Sequence, residues 1–494
     1  MIYIIITLIL MSILYKYLVK PYSLYRKYKK YGDGYFFPLF GEAAEYYQNL
    51  QKHQDCEYSF KHYFDKRKPE DNRIIVSNMG TSVKINLVDP DLIKQFYQKS
   101  ENYHMDHFFM SNLYRLFGTE EEDQKLHRNF RKQFAPAFNF EYLQNLSSQI
   151  TKITDNKINS LIQANNFKDI DPIAFSSEIT GQVILLSFLG DTLENLSFRN
   201  MKLPHALSYI LNCLCGQMGE IGYILFGAKY TQKGYFKQHK EVEDFMQEFK
   251  NYLRVILKQK IEIYRKEFEQ TGNIKQTCIL SLFIQNGEID KIDLDDLLKY
   301  FLNFFLAGTE TTSNLVGMTI YYLTQNKEVQ QKLQQEIDQN TDYSAEALSN
   351  LPYLNATIKE TLRYQGPGNS LLDRIAVKEH YLEDIKIEKG VIVNVYMKAV
   401  HRDSRFYSDP HTYNPQRWLD SKENKSLHPF TYLPFSAGQR NCIGQHLALI
   451  EARIILNSMI KNFNFKINEG YKLILDFKFS PQPLNPLQIH FDRR

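Results

Sequence analysis

One cysteine stands where it could do chemistry. Cys442 lies in a glycine-punctuated loop, residues 434–444 (PFSAGQRNCIG), that runs into a helical pattern. Leu447, Ile450, Ile454 and Met459 keep roughly helical spacing there, with Ala448, Ala452 and Ile455 beside them. Backbone N–H groups and the dipole at a helix start favour a thiolate over a thiol, and Arg440 adds positive charge two residues earlier. A thiolate held in such a loop is a nucleophile or a metal ligand. The alternative is a small buried apolar residue.

A second group lies upstream, where residues 307–312 read AGTETT inside a long helical pattern over 292–324. A glycine inside a helix costs about 1 kcal/mol against alanine, so Gly308 calls for a local reason. With Ala307 it lets a helix approach a flat cofactor and leaves room for a diatomic ligand. Glu310 and Thr311 set an acid beside an alcohol; a threonine-rich packed helix is the plain alternative. Glu360 and Arg363 sit at i, i+3 on one helical face. Arg417 adjoins Trp418, the only tryptophan, and LHRNFRKQF carries His127, Arg128, Arg131 and Lys132. By pattern alone the last group is a basic, solvated helix face.

Phe435, Gly438, Arg440, Cys442 and Gly444 match, position for position, the haem-binding signature of the cytochrome P-450 superfamily. The chain resembles that family over about residues 35–494. The resemblance implies haem b (iron protoporphyrin IX) with Cys442 as its axial thiolate, pushing electron density toward iron to favour O–O cleavage. It implies that Thr311 and Glu310 handle protons for that cleavage. Arg374 and Arg131 match arginines that reach haem propionates, and His127 stands where the family has tryptophan; either side chain can donate a hydrogen bond. Glu360, Arg363 and Arg417 would form a buried structural cluster that fixes the cysteine loop. Residues 103–118, with Phe108 and Phe109, would lie over the haem, and Leu371 and Leu372 would face substrate. Residues 185–270 correspond to a lid that often touches the membrane.

The elements that must position these residues follow from pattern. The resemblance implies a mainly α fold with a small β-rich N-terminal part, preceded by one transmembrane helix. The expected division is an anchor over 1–20, a basic, proline-containing linker over 21–40 broken at Pro21 and Pro38, and a catalytic domain over 41–494. Residues 2–19 carry one charge, Lys16, and at ~1.5 Å per residue span roughly 27 Å, enough for a bilayer. Basic residues follow the run, which places the rest of the chain in the cytosol; no basic segment or small-residue cleavage site marks a signal peptide. Residues 72–88 alternate apolar and polar about a turn at Gly80, and IKIEKGVIVNV reads as a strand pair. Residues 421–428 read as a surface meander, and 237–268 as a long amphipathic helix.

The balance of 60 basic and 56 acidic residues, net +4, gives no bulk argument for nucleic acid. Five cysteines at irregular spacing fit no disulfide framework and suit a reducing compartment. The expectation is therefore a monooxygenase of the endoplasmic reticulum membrane, single-pass and facing the cytosol, that inserts one oxygen atom from O2 into an apolar substrate. Without a flavin or nicotinamide fingerprint, its electrons would come from an NADPH-dependent flavoprotein reductase docked near Arg128, Lys132 and Arg440. Two rivals remain open: a haem-thiolate isomerase or dehydratase, and a non-catalytic haem-binding sensor or carrier.

Overall fold

The computed structural model describes residues 2–54, 73–117, 124–274, 277–368, 373–420, 427–477 and 480–494. The apolar N-terminal run forms a helix, Ile2–Leu14, which continues through a π-helical turn, Tyr15–Val19, into another α-helix, Lys20–Tyr28. Pro21 does not break it, contrary to expectation. Proline lacks an N–H, and its ring crowds the carbonyl four residues back. The wider turn just before it relieves that crowding, with the Lys20 N–H bonding to Tyr15 O.

Residues 21–40 are also more than a connection. Pro21, Tyr25 and Tyr28 are buried. Tyr28 Oη donates to Lys386 O at 2.9 Å and accepts from the Glu388 N–H at 3.0 Å. Further upstream the side chains face outward, with Ile4 66% and Leu8 61% exposed. The helical stretch Tyr3–Tyr31 is long and apolar enough to cross a membrane. Pro172–Leu189 passes the same test but is mostly buried in the core.

The sheet begins with Ile74–Met79 and Ser82–Leu87, antiparallel about Gly80 at φ 57°. It has six strands and is not wholly N-terminal. The order is Gly32–Gly34, Ile74–Met79, Ser82–Leu87, Ile392–Val395, Arg374–Ala376, Tyr103–Met105. The two halves of IKIEKGVIVNV are both strands, yet they do not pair with each other. Ile385–Ile387 pairs with His380–Leu382, while Ile392–Val395 pairs parallel to Ser82–Leu87. Gly390, at φ 87°, redirects the chain between them and donates its N–H to Ala376 O at 2.8 Å. Arg374 enters the structure as a strand residue of this sheet.

Helices make up most of the rest. Leu294–Gln325 runs through the core against Pro172–Leu189. Asp293 caps its start, accepting from the Asp295 N–H at 3.1 Å. It is not the longest helix described: Lys237–Thr271 has 35 residues to its 32. A helix needs only one apolar stripe to pack, and Phe245, Phe249, Leu253 and Leu257 supply it in the longer one. The cysteine loop leads into Gln445–Asn462, which packs against both Leu294–Gln325 and Phe140–Ala164. The loop is thereby set against the middle of the molecule.

Candidate active site

The loop before Cys442 is closed by its own backbone. The Ser436 N–H donates to Leu433 O at 3.0 Å, and the Cys442 N–H to Phe435 O at 2.9 Å. Gly438 sits at φ 70°, and a Cβ there would stand 3.2 Å from Tyr97 Cδ1. Glycine therefore answers both the left-handed backbone and the lack of space. Gly438→Ala is expected to lower stability by about 1–2 kcal/mol, read as a fall in melting temperature. An unchanged Tm would contradict this account of the turn.

Between the loop and the central helix lies a cavity of about 1060 Å³. Its walls bring together Phe435, Arg440, Cys442 and Gly444 from the loop, Ala307, Gly308 and Thr311 from the helix, and His127 and Arg374. Ligand cavities commonly measure about 300–1,000 Å³, so this one has room for a large cofactor and a further small molecule. Cys442 is exposed, and it is on the cavity wall that it is exposed. Burial nonetheless pushes its thiol pKa up; the Gly444 N–H and Arg131 pull the other way without winning. The helix start alone does not make the thiolate expected from the sequence. A bound cation would, since a coordinating thiol is deprotonated outright.

Three other assigned residues are off the wall. Gly438 shapes the turn. Arg131 grips the loop: Nη1 donates to Asn441 O at 2.7 Å and Gln439 O at 3.2 Å, and Nη2 to Asn441 Oδ1 at 2.5 Å. Glu310 is buried and its Oε2 accepts from Gln482 Nε2 at 2.6 Å. One turn on, Asn314 Nδ2 donates to Pro481 O at 2.7 Å. This face of the helix therefore holds the Pro481–Pro483 strand, while Ala307, Gly308 and Thr311 face the cavity. Thr311 Oγ1 donates to Ala307 O at 2.6 Å. The space beside Gly308 is also spoken for, because a Cβ would lie 2.3 Å from Ile184 Cδ1.

The acid on the cavity wall near this threonine is one that sequence reasoning missed. Glu451 lines the cavity and is buried. Its pKa is pushed well up by burial, with the Thr312 hydroxyl lowering it only in part. Neither carboxyl oxygen makes a hydrogen bond of ordinary geometry among the described residues. Its position on the apolar face of Gln445–Asn462, one turn after Leu447, was the signal available.

The donor set fits an iron macrocycle that carries carboxylates. Among the described residues no group of three or more His, Cys, Asp or Glu could hold a metal ion, so a metal held at Cys442 would arrive with ligands of its own. The loop thiol of Cys442 lines one side, and Ala307 and Gly308 line the other, with Cys215 elsewhere on the wall. His127 is pushed down to about 4 by burial and then by Arg440, Arg131 and Arg374. A neutral imidazole among three guanidinium groups suits the recognition of paired carboxylates.

Away from the cavity, Glu360, Arg363 and Arg417 meet as buried side chains. Arg363 Nη1 donates to His401 O at 2.7 Å and Pro410 O at 2.9 Å, and Arg417 Nη1 to Ser408 O at 2.8 Å. The cluster thus holds the backbone around residues 401–414. Leu371, Leu372, Cys56 and residues 421–426 lie outside the described residues, as do the side chains of Phe108 and Phe109.

Comparison with known proteins agrees with this geometry. The chain is similar to Cytochrome P-450 6l1 of Blattella germanica, 33% identical over 212 residues, which are 41% of this chain and 42% of that protein. It is 28% identical over 350 residues to Probable cytochrome P-450 4ac2 of Drosophila melanogaster, covering 69% of this chain and 66% of that protein. With Cytochrome P-450 4V2 of Mus musculus the identity is 25% over 357 residues, 69% and 67% of the two chains. The first of these matches spans less than half the relative's length. The Cytochrome P-450 family model covers residues 33–488. With its thiol, helix and cationic edge gathered on one cavity, the chain belongs to the cytochrome P-450 family, which implies a haem iron.

Proposed function

We propose that this protein is a membrane-anchored haem-thiolate monooxygenase that places one oxygen atom from O2 into an apolar substrate, a lipid, sterol or foreign compound. The observation that carries the proposal is the placement of Cys442 and Thr311 on one cavity large enough for haem b and a substrate together. Bound there through Cys442, haem supplies the activation of dioxygen that no protein side chain can perform. The chain supplies the rest. Arg440, Arg374 and His127 would bind the propionate edge, and Ala307 lets the helix approach the ring, while Gly308 makes room for Ile184 of the neighbouring helix. Leu113, Ile184, Phe304 and Leu362 give the wall an apolar surface for the substrate.

Thr311 keeps a hydroxyl at the wall, oriented by the bond to Ala307 O. Glu451, whose pKa burial raises and whose neighbour is Thr312, places an acid on the same wall. Glu310 would act only from the far side of the helix. Electrons come from an NADPH-dependent flavoprotein reductase, which would dock beside the exposed Arg128 and Lys132, next to the loop residue Gln439. The apolar N-terminal helix and the basic residues after it support a single span, with the catalytic domain on the cytosolic side of the endoplasmic reticulum.

The carbon monoxide difference spectrum of the reduced protein tests thiolate ligation directly. Substrate-induced spectral shifts across a panel of lipids then test the pocket. An isomerase of the same fold gains some ground from the placement of Glu310, and Thr311→Ala separates the two readings. A monooxygenase should lose product per electron by on the order of a hundredfold and release peroxide instead. An isomerase or carrier should show no change.

A further inference from the structure

We propose that His401 is a positioning residue for the iron-ligating loop, coupling the Glu360–Arg363 cluster to the backbone that carries Cys442. His401 ends the short helix Met397–His401 and is only 3% exposed. Its two ends do different work. The backbone carbonyl accepts from Arg363 Nη1 at 2.7 Å. The ring Nε2 accepts from the Leu433 N–H at 3.0 Å. A ring nitrogen that accepts must be unprotonated, so the bond assigns the proton to Nδ1.

Leu433 is the hinge point of the loop. Its N–H is held by His401, and its carbonyl accepts from the Ser436 N–H at 3.0 Å. Two residues beyond it, Phe435 O accepts from the Cys442 N–H at 2.9 Å. A continuous path of hydrogen bonds and short backbone therefore joins Arg363 to the ligand residue. The ring is also confined from the side, since Tyr432 lies 5.5 Å from it by centroids and is packed in turn at 4.6 Å against Trp418. Trp418 Nε1 donates to Glu360 Oε2 at 2.9 Å, so both routes return to the same cluster.

The surroundings keep the imidazole neutral. Burial, Arg363 and Arg402 push it down to about 3, so the acceptor is present at neutral pH. A lysine or arginine here would present a donor to a donor. A leucine would fill the space but leave the Leu433 N–H buried without a partner, which favours a rearranged loop.

The inference rests on the reading of Cys442 as the ligand of haem iron, and the test keeps the two apart. Full-length parent, His401→Leu, His401→Asn and His401→Gln are prepared as haem-loaded proteins. Two signals are read: the fraction showing the thiolate type of carbon monoxide spectrum, and amide exchange of the 433–442 segment. Gln reaches with its Oε1 to about where Nε2 stands, whereas Asn falls short. His401→Leu and His401→Asn should lower the ratio of thiolate to non-thiolate forms by about tenfold and speed exchange in this segment; His401→Gln should restore both. Should His401→Leu fail to load haem, the contrast between Asn and Gln decides. Equal ligation and exchange in Asn and Gln, or no rescue by Gln, would overturn the role of His401. A parent without the thiolate spectrum would instead remove the reading beneath it.

Discussion

Cys442→Ala should give a folded protein that has lost its thiolate spectrum and all reductase-supported oxygenation above background. The two halves of that expectation have separate causes. The loop is held by backbone bonds, Ser436 N–H to Leu433 O and Cys442 N–H to Phe435 O, by Arg131 on Asn441 and Gln439, and by the left-handed turn at Gly438. None needs the sulfur. Alanine keeps every one, so unfolding of the haem-free protein should change little. What is lost is the sulfur on the loop side of the cavity; Cys215 also lines the wall, but from the helix Leu203–Met218 and not from the loop, and among the described residues no group of three or more His, Cys, Asp or Glu could hold a metal. Spectroscopy of the reduced, carbon monoxide-bound protein is the measurement. If Cys442→Ala kept the parental spectrum, the iron would have another axial ligand and the proposed chemistry would fail with it. Cys442→Ser separates geometry from electronics: its oxygen can occupy the same place but donates less electron density, so haem binding with lost oxygenation is expected.

The site was legible in the sequence where its residues are close along the chain. The five matched positions between Phe435 and Gly444 share one loop, and a loop's shape is set locally by its glycines and its closing bonds. The AGTETT run was legible as a helix over a cofactor, but the division of labour within it was not. Consecutive helical residues point about 100° apart, as the 3.6-residue turn requires. Thr311 therefore meets the cavity while Glu310 meets Gln482, from a hairpin 172 residues away. Nothing local chooses between them.

The same reason hid Glu451 and misplaced the strand pairing after Ile385. Their meaning comes from what packs against them. It also misled the expectation at Cys442, where a favourable helix start is a local feature and the opposing desolvation depends on the whole fold. At Pro21 the local rule was sound, and the chain satisfied it by an unusual route, a π turn placed just before the proline. Arg131 was recognised as a site residue, but its hydrogen bonds go to the loop rather than to the cavity.

Glu360→Ala is the substitution expected to cost the most folding free energy, ~3–5 kcal/mol. The carboxylate is fully buried and accepts five hydrogen bonds: from Arg363 Nε and Nη2, both at 2.8 Å, the Asn414 N–H at 2.8 Å, Arg417 Nε at 3.2 Å and Trp418 Nε1 at 2.9 Å. Its removal takes from two buried guanidinium groups the carboxylate that balances their charge. Against a typical total stability of about 5–15 kcal/mol, that loss would leave a large part of the protein unfolded or unable to hold haem. Glu360→Gln should be nearly as harmful, because its amide NH2 would face donors.

A simpler account makes the cluster ordinary packing, and a double-mutant cycle separates the two. If stranded charge is the cause, Glu360→Met with Arg363→Met should be less destabilising than the sum of the single changes by more than about 1 kcal/mol, since each removes the other's orphan. Arg417 would still have lost its bond to Glu360, so full recovery is not expected. Urea unfolding of the four proteins gives the coupling energy. Additive losses would assign the cluster to volume rather than charge. Retention of haem by the double variant but by neither single one would show that the backbone over residues 401–414 needs a neutral core more than it needs these particular ions.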